Sequence, residues 1–156
     1  MINVIKVASY ICNRYKGEFE ESISEMKLHK LLYFTQRESI VQTGEPMFEE
    51  AFLAWRYGPV MVEIRGLFAS QRLNDMPDEQ FINNNKNIFD FVFAHYAPKD
   101  AWSLSRLSHG EYSWINARKD LLPEQNGNVP LDIQDIRKDA DRVRLRRFLL
   151  NRVGNS

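Results

Sequence analysis

The segment from Ser24 to Thr43 constrains the fold more than any other part of the chain. At about 100° per residue, its apolar side chains fall on two adjacent stripes that together exceed the apolar face of a surface helix. The first stripe comprises Leu28, Leu31, Leu32, Thr35 and Ser39, and the second comprises Met26, His29, Tyr33 and Ile40. Ser24 is a suitable N-cap, and Gly44 and Pro46 end the segment. We therefore expect a long helix at the centre of the fold.

Helical spacing of apolar residues recurs along the rest of the chain. Further helices are predicted at 2–15 with Asn3 as cap and Gly17 beyond the end, from Pro59 through Phe68, at 88–96, at 104–115 with a break near Gly110, and from Asp132 onward. Residues 70–87 are rich in Asn and Asp, which predicts a loop with at most one turn or edge strand around Phe81. Residues 123–130 form a turn-rich connector.

One segment has the alternation of a strand rather than a helix. Residues 50–57 alternate and stop at Gly58-Pro59, which predicts a short, largely buried strand followed by a helix with Pro59 in its first turn. The fold class is therefore mainly α with a minor β element (α+β). We expect a single compact domain over 1–153, with about six to seven helices and one or two short strands, and a disordered tail at 154–156.

Charge and cysteine content exclude several classes of function. Lys and Arg number 21 and Asp and Glu number 21, so the whole molecule has no field of one sign to attract polyanions or anionic membranes. Cys12 is the only cysteine, which rules out an internal disulfide and a multi-cysteine zinc site. Neither a signal peptide nor an apolar run of about 20 residues occurs. We expect a cytoplasmic protein that does not contact membranes.

Motifs that carry common enzyme chemistry are missing. The sequence contains no P-loop, no dinucleotide-binding glycine motif and no nucleophile elbow. His109-Gly110-Glu111 matches the H-x-E of zinc deaminases, but one cysteine cannot complete their metal site. His29, His95 and His109 lack the spacing of a helical zinc site. The residues therefore favour a protein that is not an enzyme, with no catalytic residues, no metal and no cofactor.

The polar side of the long helix is a candidate for partner binding. Lys27, Lys30, Phe34, Arg37 and Val41 project within about 80° of one another, which places an aromatic side chain among three cations. Aromatic residues and Arg dominate protein interfaces, so this patch suits a protein partner. In the alternative interpretation, the first or last helix covers Phe34.

The C-terminal segment is rich in arginine. It contains Arg142, Arg144, Arg146, Arg147 and Arg152. These side chains scatter around the helix axis instead of lining one groove-facing stripe, and four Asp precede them. The pattern disfavours nucleic acid as a partner, because a helix C-terminus favours cations in any protein.

Several of these segments occur together in a known family. The run from Met26 to Gln36, then Gly44-x-Pro46-x-Phe48 and Ala54-Trp55-Arg56-Tyr57-Gly58-Pro59-Val60, closely resembles the Panacea domain, whose members are also described as SocA-like antitoxins and GepA-like phage-associated proteins. A second block is similar too: Leu104-Ser105-x-Leu107-Ser108-His109, then Trp114 and Ala117-Arg118. The resemblance is strongest over 24–120. The departures are His29 in place of the usual Gln, Thr35 in place of a small residue, and an extra spacing before Trp114.

The resemblance implies a mainly helical protein that neutralises a toxin encoded beside it. Family members are paired with toxins of many unrelated types, so the resemblance does not identify the toxin. Lys27, Lys30, Phe34 and Arg37 are then candidate toxin contacts. The residues with an expected scaffold role are Leu31, Tyr33, Trp55, Tyr57, Gly58, Pro59, His109 and Trp114. Two alternatives remain: an adaptor that delivers the toxin to a cellular protease, and a transcriptional autoregulator that binds DNA through the arginine-rich helix.

Overall fold

The computed structural model describes residues 1–154. Its elements, in chain order, are α1 (Val4–Phe19), α2 (Glu25–Thr43), β1 (Leu53–Trp55), β2 (Gly58–Val60), α3 (Val62–Ala69), α4 (Glu79–Asn84), α5 (Lys86–His95), α6 (Ala101–His109), α7 (Tyr112–Ala117) and α8 (Ile133–Gly154). The predicted class, mainly α with a minor β element, is confirmed. The predicted tail at 154–156 falls on the last helical residue, Gly154, and on two residues outside the described part.

α2 lies at the centre, as predicted. Every residue from Leu28 to Ile40 is buried, and α1, α5, α6, α8 and β2 all pack against this helix. Its ends match the predicted signals: the Ser24 hydroxyl accepts a hydrogen bond from the Lys27 N–H (3.2 Å), and Gly44 adopts a left-handed φ of 81°. The buried residues include Lys30, Arg37 and Glu38, so charged groups lie inside the fold.

α1 is longer than predicted. Asn3 caps it by accepting from the Ile5 N–H (2.8 Å), but the helix continues through Gly17 to Phe19. Arg14 forms an ion pair with Glu18 (2.8 Å), and the rings of Tyr15 and Phe19 stack at 4.5 Å. These contacts across the last turn offset the weak helix propensity of glycine, so the expected end at Gly17 is wrong.

The predicted strand is one arm of a hairpin. β1 pairs antiparallel with β2, Trp55 opposite Gly58, so Arg56 and Tyr57 form the turn. The prediction that Pro59 begins a helix is wrong: Pro59 lies in β2 opposite Ala54, and α3 begins at Val62. Proline is tolerated there, because the second pair from a two-residue turn exchanges no ladder hydrogen bonds.

The connector and the loop before α5 also gain structure. The Ala54 N–H donates to the Val129 carbonyl (2.8 Å), which ties the 123–130 connector to β1. Around Phe81 the chain forms α4 rather than an edge strand, because the Asp78 carboxylate accepts from the Phe81 N–H (2.8 Å) and caps a helix. The predicted break near Gly110 separates α6 from α7. No helix in the described part has both the length and the apolarity to cross a membrane.

Candidate partner-binding surface

The patch predicted on α2 is covered in the structure. Lys30, Phe34 and Arg37 are buried, and Lys27 is half-buried, donating to the Tyr15 hydroxyl and the Ala97 carbonyl at 3.1 Å each. The prediction that these four side chains form an exposed patch is therefore wrong. A helical wheel shows which residues share a face, but not how many neighbours pack around the helix, and here α5, α6 and α8 cover this side.

An ion pair is buried between α2 and the start of α7. Arg37 binds the Glu111 carboxylate through Nη1 and the Tyr96 hydroxyl through Nη2. Burial raises the pKa of the Glu111 carboxyl to about 7, an effect that Arg37 opposes and the neighbouring Asp139 reinforces. Tyr96 also stacks on Phe34, with ring centres 4.3 Å apart. Arg37 and Phe34 therefore serve first to hold α2 against its neighbours.

Above this ion pair lies a cationic groove of about 620 Å³, bounded by α5, α6 and α8. Phe34, Arg37 and Tyr96 contribute to its lining. The cations that line it without a carboxylate partner in the described part of the chain are Lys99, Arg106, Arg142 and Arg146. The groove is therefore a positive surface, although the molecule has no net charge.

The C-terminal half of α8 projects an apolar surface next to the groove. We define the apolar face of α8 as Leu145, Phe148 and Leu149, which are 52–58% exposed, whereas Leu150, 64% exposed, lies on the groove side of the helix. The helix is attached to α2 by two arginines: Arg144 donates to the Ile40 carbonyl (2.8 Å), and Arg147 binds Glu38 through two hydrogen bonds of 2.8 Å. Sequence reasoning named these arginines as a candidate DNA contact and did not find the apolar face. The i, i+3, i+4 spacing of these apolar residues beyond Val143 was the available signal.

Several residues with an expected scaffold role join α2 and the hairpin to α7 and α8. Leu31 and Tyr33 are buried. The Tyr33 hydroxyl lies 3.1 Å from Ser113 Oγ and donates to Asp139 (3.2 Å), which joins α2 to α7 and α8. His109 stacks on Trp114 (4.2 Å), whose indole N–H donates to the Trp55 carbonyl (2.8 Å).

The two aromatic residues of the hairpin, Trp55 and Tyr57, are more exposed than Leu31 and Tyr33. Trp55 lies in the strand that was predicted to be largely buried, but its side chain is only half-buried, under the Arg65 guanidinium at 5.3 Å. Tyr57, at the turn, is 40% exposed and contacts Trp102 edge to face. A strand of three residues has one face against the core, and Trp55 lies on the other. Its replacement by alanine is therefore expected to cost less than a fully buried tryptophan would.

His109 and Arg118 line one surface cleft beside Trp114, whereas Glu111 lines the cationic groove, so the three side chains do not converge on one site. Glu111 binds Arg37, whereas Arg118 donates to four backbone carbonyls and braces the connector. Across residues 1–154, no three His, Cys, Asp or Glu side chains are grouped so as to hold a metal ion.

His29 is held as a neutral imidazole. The Met61 backbone N–H points at Nδ1 (3.4 Å), so the ring proton is on Nε2, which lies 3.4 Å from the Glu25 carboxylate. Burial, together with the charges of Lys30 and Arg65, lowers the pKa of His29 to about 3.

This histidine should make the fold sensitive to acid. Because the folded-state pKa lies below the ordinary value, protonation of the unfolded chain removes stability as the pH falls from about 6.5 toward 3. Between pH 7 and pH 4, wild type should lose about 3 kcal/mol more than His29→Gln. Urea unfolding of both proteins at the two pH values measures this difference. Equal losses would show that His29 is not held neutral.

The antitoxin SocA-like family, Panacea domain, matches residues 28–115, more than half of the chain. The protein belongs to this family. None of the curated proteins and none of the solved structures compared with it gives a match.

The Panacea match covers the centre of the molecule and leaves its ends outside. It runs from the first turn of α2 into α7 and so includes the hairpin and the His109–Trp114 stack. α1 and α8 lie outside it. The apolar face of α8 therefore extends from a Panacea core without belonging to the matched part.

Proposed function

We propose that this Panacea protein is an antitoxin, not an enzyme, and that it neutralises a toxin encoded beside it by direct contact. The proposed contact surface consists of the apolar face of α8 and the adjoining cationic groove. The observation that carries the proposal is the exposure of four large apolar side chains on one helix, beside unpaired arginines.

The apolar face supports binding because its contact with water is unfavourable in free energy, and a bound partner would remove that contact. Complete burial of a Leu or Phe side chain provides roughly 1.5–3 kcal/mol, and side chains left about half exposed forgo part of it. Contiguous exposed apolar surface on a soluble protein typically marks an interaction site. Arg142 and Arg146 lie on the same helix and line the groove, so one partner can contact both surfaces.

The extent of the family match also favours α8. The family resemblance implies toxins of many unrelated types, and a surface shared by all members is poorly suited to distinguish them. α8 follows the matched span, so its sequence is free to differ between members. We therefore assign toxin recognition to α8 and the fold to the matched core.

The chemistry of the surface indicates what the toxin presents. Lys99, Arg106, Arg142 and Arg146 favour carboxylates, and the α8 side chains favour an apolar strip beside them. The proposed toxin segment is an amphipathic one with acidic and large apolar side chains. Phe34 and Arg37, which the sequence nominated as contacts, lie beneath the groove and would act by shaping its floor.

Replacing Leu145 and Phe148 together with glutamine tests this assignment. Both side chains are exposed, so the free energy of unfolding should change by less than about 1 kcal/mol. Toxin affinity should fall at least about 100-fold, since two central apolar contacts are lost. Calorimetry with the purified neighbouring toxin measures the affinity. Leu122→Gln, a change at a residue as exposed as Leu145 but located just before the connector, is the matched control.

Growth of cells that express the neighbouring reading frame tests the function itself. We expect the neighbour to arrest growth, wild type to restore it, and the double glutamine variant to fail. Toxin abundance, measured in the same cells, should stay constant. A fall in abundance would instead indicate delivery to a cellular protease, and a harmless neighbour would contradict the antitoxin proposal.

A further inference from the structure

A second cleft lies between the N-terminal half of α2 and the hairpin. Its volume is about 320 Å³, at the lower end of the range for small-molecule sites. His29, Lys30, Trp55 and Tyr57 contribute to its lining. It shares no lining residue with the cationic groove, so it is independent of the proposed toxin contact.

Lys30 brings an unpaired charge to this cleft. Its side chain is 1% exposed, and its amine has neither a hydrogen-bond acceptor nor a carboxylate partner within residues 1–154. It packs against Gly58, where a Cβ would lie 3.0 Å from Lys30 Nζ. Burial lowers the pKa of Lys30 to about 8, so the amine still carries its charge at pH 7. Because this ammonium has no partner in the described residues, an anion bound in the cleft would stabilise it.

Trp55 supplies a second unsatisfied donor to the cleft. Its indole Nε1 is buried and has no acceptor in the described part of the chain. Buried polar groups in native proteins nearly always have a partner. An acceptor bound in the cleft would therefore satisfy Trp55 Nε1 as well as Lys30 Nζ.

The remaining charges limit what that acceptor can be. Arg56 and Arg65 join Lys30 in the lining, against Glu25 and Glu124. Glu25 is already bound by Arg65 at 3.4 Å. The three cations and two carboxylates give the lining a net charge of about +1. One negative charge balances it, so a carboxylate fits better than a doubly charged phosphate. The aromatic side chains favour a flat apolar body attached to it.

We propose that this cleft binds a small-molecule monocarboxylate with a flat apolar body, whose carboxylate accepts hydrogen bonds from Lys30 Nζ and Trp55 Nε1. The site is distinct from toxin recognition and does not depend on the antitoxin proposal.

Titration of the full chain with benzoate, followed by NMR, tests the proposal. We expect saturable binding with a Kd on the order of 1 mM, as fits so small a ligand, and shifts in the signals of the hairpin and α2. Benzyl alcohol, of similar shape but neutral, and inorganic phosphate should both bind at least about tenfold more weakly. Equal binding of either one would overturn the assignment of a monocarboxylate.

Variants show whether the named donors carry the binding. Lys30→Met should weaken benzoate binding at least about tenfold. Lys27→Met, one turn earlier on the same helix but outside the cleft lining, should leave it unchanged. Trp55→Phe, which removes the indole N–H, should also weaken benzoate binding about tenfold. If Lys30→Met does not fold, the Trp55→Phe variant tests the proposal by itself. Absence of saturable binding to wild type, or undiminished binding to the folded variants, would overturn the proposal.

Discussion

Replacing Asp139 with alanine should lower the free energy of unfolding by about 3–4 kcal/mol. The carboxylate is buried and accepts hydrogen bonds from the Tyr112 N–H (2.7 Å), the Ser113 N–H (3.0 Å) and the Tyr33 hydroxyl (3.2 Å). The two N–H groups belong to the first turn of α7, where no intrahelical acceptor exists. Each orphaned donor costs about 1–3 kcal/mol, and the relief of repulsion between Asp139 and Glu111 offsets part of the sum.

Thermal unfolding followed by circular dichroism measures the effect of Asp139→Ala. A protein of this size loses about 2–4 °C of Tm per kcal/mol, so the midpoint should fall by roughly 6–16 °C. Asp139→Asn, which keeps one acceptor oxygen, should lose less. Asp141→Ala, at an exposed position two residues along the same helix, should change the midpoint by only a degree or two. Similar midpoints for the two alanine variants would contradict this role of Asp139.

Replacing Gly58 with alanine should cost about 3 kcal/mol, for two separate reasons. The φ of Gly58 is +121°, where any L side chain is strained. A Cβ there would also lie 2.6 Å from Ser108 Oγ and 2.9 Å from Lys30 Cε, inside van der Waals contact. Urea unfolding at equilibrium measures the loss.

Gly17→Ala is the matched control for Gly58→Ala. Gly17 lies within α1, and a Cβ there meets no atom within 4 Å. The same substitution should therefore stabilise the protein by about 0.5–1 kcal/mol. Adding Ser108→Ala to Gly58→Ala should recover only the part of the loss due to the clash, because the φ strain remains. We expect the free energy of unfolding to fall in Gly58→Ala and to rise in Gly17→Ala, and changes of the same sign would contradict this prediction.

Local signals predicted the helices well, because their causes lie within a few residues. Ser24 and Gly44 terminate α2 by hydrogen bonding and φ within one turn of the helix, and the width of its apolar arc indicated its central position. α4 was missed, although Asp78 caps it, because a helix of this length has little apolar periodicity to detect.

The candidate surfaces could not be predicted in the same way. Lys30 and Arg37 have the composition of an exposed interface on a helical wheel, yet neighbours distant in the chain bury both. The ion pair of Arg37 with Glu111 joins residues 74 positions apart, so no local pattern reveals it. The resemblance to the Panacea family identified the matched core but not the surface on α8, which lies outside that core.

The order of the amino acids determined most of the helices, the turn before Gly58 and the family, since each depends on contacts or dihedral angles near in sequence. Packing decided which face of each helix meets water. Which face is exposed depends on how all the helices pack together. α5, α6 and α8 enclose the cations of α2. α8 extends beyond the last neighbour that could cover Leu145 and Phe148. The apolar surface that this antitoxin-family protein exposes therefore lies on the part of α8 that extends beyond the core.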